Sequence, residues 1–201
     1  CATGYDDTPD DRAGTAGRPL PQVEVRIVRP DTEEPLPLSE QGEIQARGYQ
    51  TMIAYHDQEA ETARTLLANG WLRTGDLGDM DARGYVRVTG RLSDMIIRGG
   101  ENIYPAEIEA ALLRHLSIAE AAVFGVPHPT WGETVAACLR FADGVALPTP
   151  DALKDHCRSL LSPQKTPADW FVVKDFPLTA SGKVQKFRLS ELALEGRLTS
   201  L

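Results

Sequence analysis

The pentapeptide GRLSD (Gly90–Asp94) separates two sequence grammars, and the fold has to accommodate both. Before it, apolar residues recur at every second position in short runs broken by Pro, Gly and acidic clusters. QVEVRIV (Gln22–Val28) sets Val23, Val25 and Ile27 against Glu24 and Arg26, the pattern of a half-buried strand. GRPLP before it and RPDTEEPLPLSEQG after it read as loops. GEIQARG and MIAYH predict further short strands. WLRTGDLGDMD and GYVRVTGR predict a hairpin turning at DARG. One helix is expected in this half, over DQEAETARTLLANG (Asp57–Gly70). Ala60, Ala63, Leu66 and Leu67 fall at helical spacing there, with Asp57 as N-cap and Gly70 as the stop.

After GRLSD the elements alternate in type. MIIRGG predicts a short strand ending in two glycines. PAEIEAALLRHL (Pro105–Leu116) predicts a helix with Pro at its first position and Ile108, Leu112 and Leu116 on one face. AEAAVFGVP and TVAACLRFA predict strands, TPDALKDHCRSLL a helix, DWFVVKDFP a strand. A last helix starts near Lys186 and carries Phe187, Leu189, Leu192 and Leu194. This order is that of a compact α+β domain. The expected organisation is a β-rich part over residues 1–92 and an α+β domain over 93–201, joined by a short hinge.

Bulk properties narrow the function classes. The chain has 201 residues and a formal net charge of −8, which argues against a broad nucleic-acid surface, since phosphate binding needs clustered Lys and Arg. No run approaches the roughly eighteen apolar residues of a membrane span. The opening CATGYDDTPDDRAG is acidic and polar, unlike a signal peptide, and lacks an initial Met, as a cut or incomplete end would. Cys1, Cys138 and Cys157 show no CxxC spacing, which predicts no zinc site and a reducing, cytoplasmic setting. Cys138, inside an apolar run, is expected to be a buried free thiol. His56, His115, His128 and His156 show no metal-ligand spacing.

Three stretches can carry chemistry. In Thr74-Gly75-Asp76 the carboxylate can accept two hydrogen bonds from a vicinal diol, as acids do on ribose; the alternative is an ordinary turn aspartate. In GRLSDMIIRGGENIYPAEIE (Gly90–Glu109), Arg91 supplies a fixed fork of donors, and the glycines of RGGEN allow a sharp turn and the close approach of a ligand. Nothing there matches GxGxxG, so a dinucleotide fold is not indicated. PLTASGKVQK (Pro177–Lys186) places Lys183 after three small residues. It is not a Walker loop, because position 177 is Pro where that motif needs Gly; alone it reads equally as a solvated turn.

Taken together these pieces resemble the C-terminal part of the adenylate-forming, AMP-binding superfamily of acyl-CoA synthetases, luciferases and peptide-synthetase adenylation domains. GRPLPQVEVRIV, GEIQARG, NGWLRTGDLG, GYVRVTGRLSDMIIRGGENIYPAEIE, AAVFGVPHPTWGE and PLTASGKVQKFRL occur in family order over nearly the whole chain. GGENIYPAEIE and GKVQKF are similar to the forms found in fatty-acyl and other carboxylic-acid CoA ligases.

The resemblance implies two half-reactions. A carboxylic acid attacks ATP to give an acyl-adenylate and pyrophosphate; the thiol of CoA then displaces AMP. It implies Lys183 as the catalytic cation of the first step, and Asp76 and Arg91 as nucleotide-binding residues. It implies Arg98, Gly99, Gly100 and Glu101 as the loop that lines the CoA tunnel in the second step, where a side chain at Gly99 would block passage. The hinge is expected at Ser93, where the family commonly has Asp or Lys, followed by Asp94. The phosphate loop, the acyl pocket and the Mg2+-coordinating Glu are expected upstream of this chain. So the chain alone is expected to be inactive, with the Lys183 loop exposed and mobile. The alternatives are an enzyme that loads a carrier-protein thiol, or a non-catalytic C-terminal module.

Overall fold

The computed structural model describes residues Cys1–Leu201. They form two compact units, Cys1–Ser93 and Asp94–Leu201.

The first unit is built on a four-stranded antiparallel sheet in the order β1-β2-β3-β4. The strands are β1 (Val23–Val28), β2 (Gly42–Gly48), β3 (Leu72–Met80) and β4 (Val86–Arg91). Ile27, Ile44 and Val86 form a small core, with Val25, Leu36 and Met80 packed against it. The expected alternation is kept only in part: Val28 is buried next to Ile27, and β2 buries Gly42, Glu43, Ile44 and Gln45 in succession. The β3–β4 hairpin turns at Asp81–Gly84, where the Asp81 carboxylate accepts the Arg83 and Tyr85 N–H groups at 2.8 and 2.9 Å. Each of β2 and β3 carries an irregularity in register, at Glu43/Gln45 and Leu77/Gly78.

Two expectations for this unit fail. Met52–His56 is not a strand: it pairs with nothing and leaves Ile53 93% exposed. The helix between β2 and β3 is shorter than expected. This helix, α2, spans Glu59–Thr65, because Leu66 leaves the helix to bridge Leu72. Asp57 has φ +53° and is not the N-cap; Gln58 holds that position without a side-chain cap.

The acidic N-terminal segment is also more structured than its composition suggests. A short helix, α1 (Pro9–Gly14), is capped by Thr8. Its Asp11 carboxylate accepts both Arg83 Nη groups, at 2.7 and 3.1 Å, and Asp7 accepts the Tyr85 hydroxyl. Ala16 N–H bonds Val86 O at 2.8 Å and Val86 N–H bonds Gly17 O at 2.9 Å, so the segment is stitched to the start of β4.

The second unit centres on a six-stranded sheet. A central strand, β8 (Gly132–Phe141), pairs antiparallel with β7 (Ile118–His128) and parallel with β9 (Asp169–Val172). A small hairpin of β5 (Ile96–Arg98) and β6 (Glu101–Ile103) joins β8 at Gly132, and β10 (Thr199–Ser200) closes the β9 edge. Both faces of the sheet are covered. Val135, Ala137 and Leu139 of β8 pack on one side with Ile108 and Leu112 of α3 (Pro105–Leu112) and Leu153 and Cys157 of α4 (Pro150–Leu160). Ala136 and Cys138 pack on the other side with Phe124, Phe176 and Leu189 of α5 (Lys186–Leu194). Alternation along one strand thus serves two cores, so β8 reads as a continuous apolar run. Burial pushes the free thiols of Cys138 and Cys157 up to about 12 and about 11.

Helix α3 ends four residues before its expected end. Leu116 is 97% exposed and lies in the turn that leads into β7. The expected strand–turn–helix around RGGEN is instead a strand–turn–strand: Glu101–Ile103 returns on Ile96–Arg98 before α3 begins. No helix is long and apolar enough to cross a membrane.

Candidate functional site

In the first unit, β3 and β4 are in register so that Asp76 lies opposite Arg91. Arg91 Nε meets Asp76 Oδ1 at 2.8 Å, with the Asp76 side chain 31% and the Arg91 side chain 50% exposed. The segment of β3 before Asp76 lies at the register shift against β2 and is held largely by β2. The Thr74 hydroxyl donates to Ile44 O at 2.6 Å and accepts the Asp76 N–H at 3.1 Å. The Gly75 N–H reaches Glu43 Oε1 at 3.4 Å. Glu43 is buried and its Oε2 has no hydrogen-bond partner; burial raises its carboxyl above the ordinary 4.5, against the opposing hydrogen bond from Gly75. A carboxylate fixed in this way, with one oxygen still open, can accept hydroxyl donors from a diol.

In the second unit, Gly99 and Gly100 form the two-residue turn of the β5–β6 hairpin. Their φ values are +59° and +85°, the backbone that a type I′ hairpin turn requires at both positions. Gly99 also meets Trp131. Its N–H bonds Trp131 O at 2.8 Å, and a Cβ at Gly99 would lie 3.0 Å from the indole Cε3. The Arg98 guanidinium lies 5.7 Å over the same ring and donates to Gln164 O at 2.7 Å. Arg98, Gly99, Glu101, Trp131 and Gln164 line an open recess of about 160 Å³.

Lys183 lies in a separate turn between β9 and α5. Thr179 organises it: Thr179 N–H bonds Lys183 O at 2.8 Å, Gly182 N–H bonds Thr179 O at 2.9 Å, and Lys183 N–H bonds Thr179 Oγ1 at 3.0 Å. Leu178 and Val184 bridge across its base. Residues 180–183 are exposed, as expected, but the turn is closed by its own hydrogen bonds. Ser93 and Asp94 end a short 3-10 turn, Leu92–Asp94, and the division between the two units falls between them.

Sequence reasoning missed three residues around these features. Trp131, in TWGE, is brought to Gly99 by the pairing of β5 with β8. Lys186, the first residue of α5, meets Glu109 Oε1 at 2.7 Å and Asp94 Oδ2 at 3.9 Å. Glu43 sits under Gly75. A buried charge in GEIQARG was the one local signal available for any of them. No three His, Cys, Asp or Glu side chains converge to hold a metal ion, and no step is assigned to one.

Residues 107–183 match the AMP-binding enzyme C-terminal domain, and residues 1–56 match the AMP-binding enzyme family. The chain is 45% identical over 184 residues to YngI of Bacillus subtilis (strain 168), provisionally named an acyl-CoA synthetase. The match takes in 92% of this chain and 33% of YngI. It is 42% identical over 186 residues to the mitochondrial medium-chain acyl-CoA ligase ACSF2 of Rattus norvegicus, covering 92% of this chain and 30% of the ligase. The chain therefore spans about a third of the length of these curated relatives. Among solved structures it is similar to ATP-bound MatB from Rhodopseudomonas palustris, with a TM-score of 0.89 and 34% identity over 97% of this chain and 38% of MatB.

Proposed function

The chain belongs to the AMP-binding, adenylate-forming enzyme family, and from that premise we propose that the protein carrying it joins a carboxylic acid to the thiol of CoA through an acyl-adenylate. The observation that carries this reading is the register of β3 on β4, which sets Asp76 against Arg91 at 2.8 Å with room left on the carboxylate.

In this reading Asp76 accepts the ribose hydroxyls of the nucleotide. Arg91 orients that carboxylate through its Nε and offers its remaining donors to the nucleotide. Lys183 acts in the first half-reaction. A carboxylate oxygen attacks the α-phosphorus of ATP, the bond to pyrophosphate breaks, and negative charge gathers on the oxygens in flight. An ammonium placed there lowers the barrier without taking part in bonding. Arg98, Gly99, Gly100 and Glu101 serve the second half-reaction, in which the CoA sulfur attacks the acyl carbon and AMP leaves with the bonding pair. Ser93 and Asp94 are the pivot by which one set of residues replaces the other. The acid is fatty or medium-chain, by likeness to the rat ligase. Two buried free thiols support a reducing compartment, which we take to be the cytoplasm.

The test is AMP release by the whole enzyme with a panel of carboxylic acids of graded length, with and without CoA. CoA-dependent release that peaks at one chain length is expected. Release that depends on an acyl-carrier protein and ignores CoA would replace this reading with carrier loading.

A further inference from the structure

Lys186 stands at the first position of α5, where a cation is out of place. The free N–H groups of a helix's first turn carry partial positive charge, so a lysine beside them is unfavourable unless anions offset it. Two do. Glu109 of α3 takes the ammonium at 2.7 Å, and Asp94, the residue that opens the second unit, stands at 3.9 Å. The side chains of Lys186 and Glu109 are each 19% exposed, so their pair is shielded from water in a way that surface pairs are not.

Glu109 is itself fixed. Its Oε1 also accepts the Val123 N–H of β7 at 2.8 Å, and α3 is anchored in the core by Ile108 and Leu112. One ammonium thus joins α5, α3, β7 and the segment beside the pivot. The lysine turn hangs from this point. Lys183 precedes Lys186 by three residues, a tether of at most about 10 Å. The other strand of the turn is tied to the same base, by Gln185 N–H to Pro177 O at 2.8 Å.

We propose that Lys186 is a positioning residue for Lys183: by binding Glu109 and Asp94 it sets the base of the lysine turn in place for acyl-adenylate formation. This rests on the reading of Lys183 given above. Lys186 touches no reacting atom. It fixes where the turn starts, and misplacing a catalytic group by about 1 Å costs on the order of a hundredfold in rate.

The experiment uses the whole enzyme and measures the two half-reactions separately: ATP–pyrophosphate exchange with the acid, and thioester formation from supplied acyl-adenylate and CoA. Lys186→Met keeps the aliphatic stem and removes the charge. It is expected to lower exchange by about 10- to 100-fold while thioester formation stays within about twofold. Lys186→Arg should restore most of the exchange. Glu109→Gln, which keeps an acceptor for Val123, should reproduce the same asymmetry, and it stands in if Lys186→Met does not fold. Normal exchange in Lys186→Met beside a dead Lys183→Ala would overturn the inference alone. So would equal loss of both half-reactions, which marks a fold defect. Retained exchange in Lys183→Ala would overturn the parent reading and this inference with it.

Discussion

Lys183 is presented by a turn whose hydrogen bonds run between backbone groups and Thr179, none of them through the lysine side chain. Lys183→Ala should therefore leave the turn intact and remove only the ammonium. In the whole enzyme we expect acyl-adenylate formation to fall by at least about 10²–10³-fold, the range for losing one preorganised electrostatic contact. Thioester formation from supplied acyl-adenylate should survive. Equal loss in both half-reactions would rule out a role confined to the first. Gly99 is a different case. Its sequence reading rests on passage of a ligand, yet the fold already demands glycine there: φ is +59° and Trp131 stands where a Cβ would go. Gly99→Ala should destabilise the chain by about 1–2 kcal/mol from backbone conformation alone, read as a lower Tm. Pairing it with Trp131→Ala should remove the crowding but not the φ cost. Complete rescue by the double variant would mean that crowding, not φ, sets the requirement. The role of Gly99 in the CoA step then has to be judged from the ratio of the two half-reactions, because a loss of fold lowers both.

Elements with a clean period were legible in the sequence, and those that depended on a distant partner were not. β1 announces itself by alternation, the β3–β4 hairpin by a DARG turn, β8 by an unbroken apolar run, and α4 by Thr149 ahead of Pro150. Met52–His56 has the composition of a strand but no neighbour to pair with. Glu101–Ile103 has the composition of a loop, yet two glycines at positive φ fold it back onto β5. The acidic start reads only as a polar segment, because Arg83, its partner, lies 72 residues away. The candidate site follows the same rule: its tripeptides were visible, while the contacts of Gly99 with Trp131 and of Lys186 with Glu109 exist only once the sheet and helices have formed. Glu43 gives a measurable consequence at this scale. Its folded carboxyl sits above the ordinary 4.5 because β2 buries it. The folded chain therefore holds this proton to higher pH than the unfolded chain. Stability falls as pH rises from about 4.5 through the folded value, and the cost of ionising Glu43 is fully present above that. Glu43→Gln should flatten this slope. The variant should be more stable than the parent at pH 7, and the two should converge below about pH 4.5, measured by urea unfolding across pH 4 to 8. An unchanged slope in the variant would assign it to another group.

At the scale of the whole molecule, each unit can be judged by what its own core contains. The second unit holds both apolar clusters that flank β8. Every residue of those clusters lies within Asp94–Leu201, from Ile96 to Leu201. Its sheet faces are both covered by its own helices, and its one charged cluster with shielded members, Lys186 with Glu109 and Asp94, is internal. The first unit has a much smaller core, with three buried residues in its cluster. A segment with a complete core should fold on its own. Residues 94–201 produced alone should therefore unfold in a single cooperative transition and keep slow amide exchange along β7 and β8. They should show no ATP–pyrophosphate exchange, since Asp76 and Arg91 are absent. The 201-residue chain, which has all the proposed residues, should also show none, because the phosphate loop expected of the family is not in its sequence. Exchange by the 201-residue chain would mean that Asp76, Arg91 and Lys183 suffice to hold ATP for attack. Broad, non-cooperative melting of residues 94–201 would mean that the two cores around β8 need support from outside that segment.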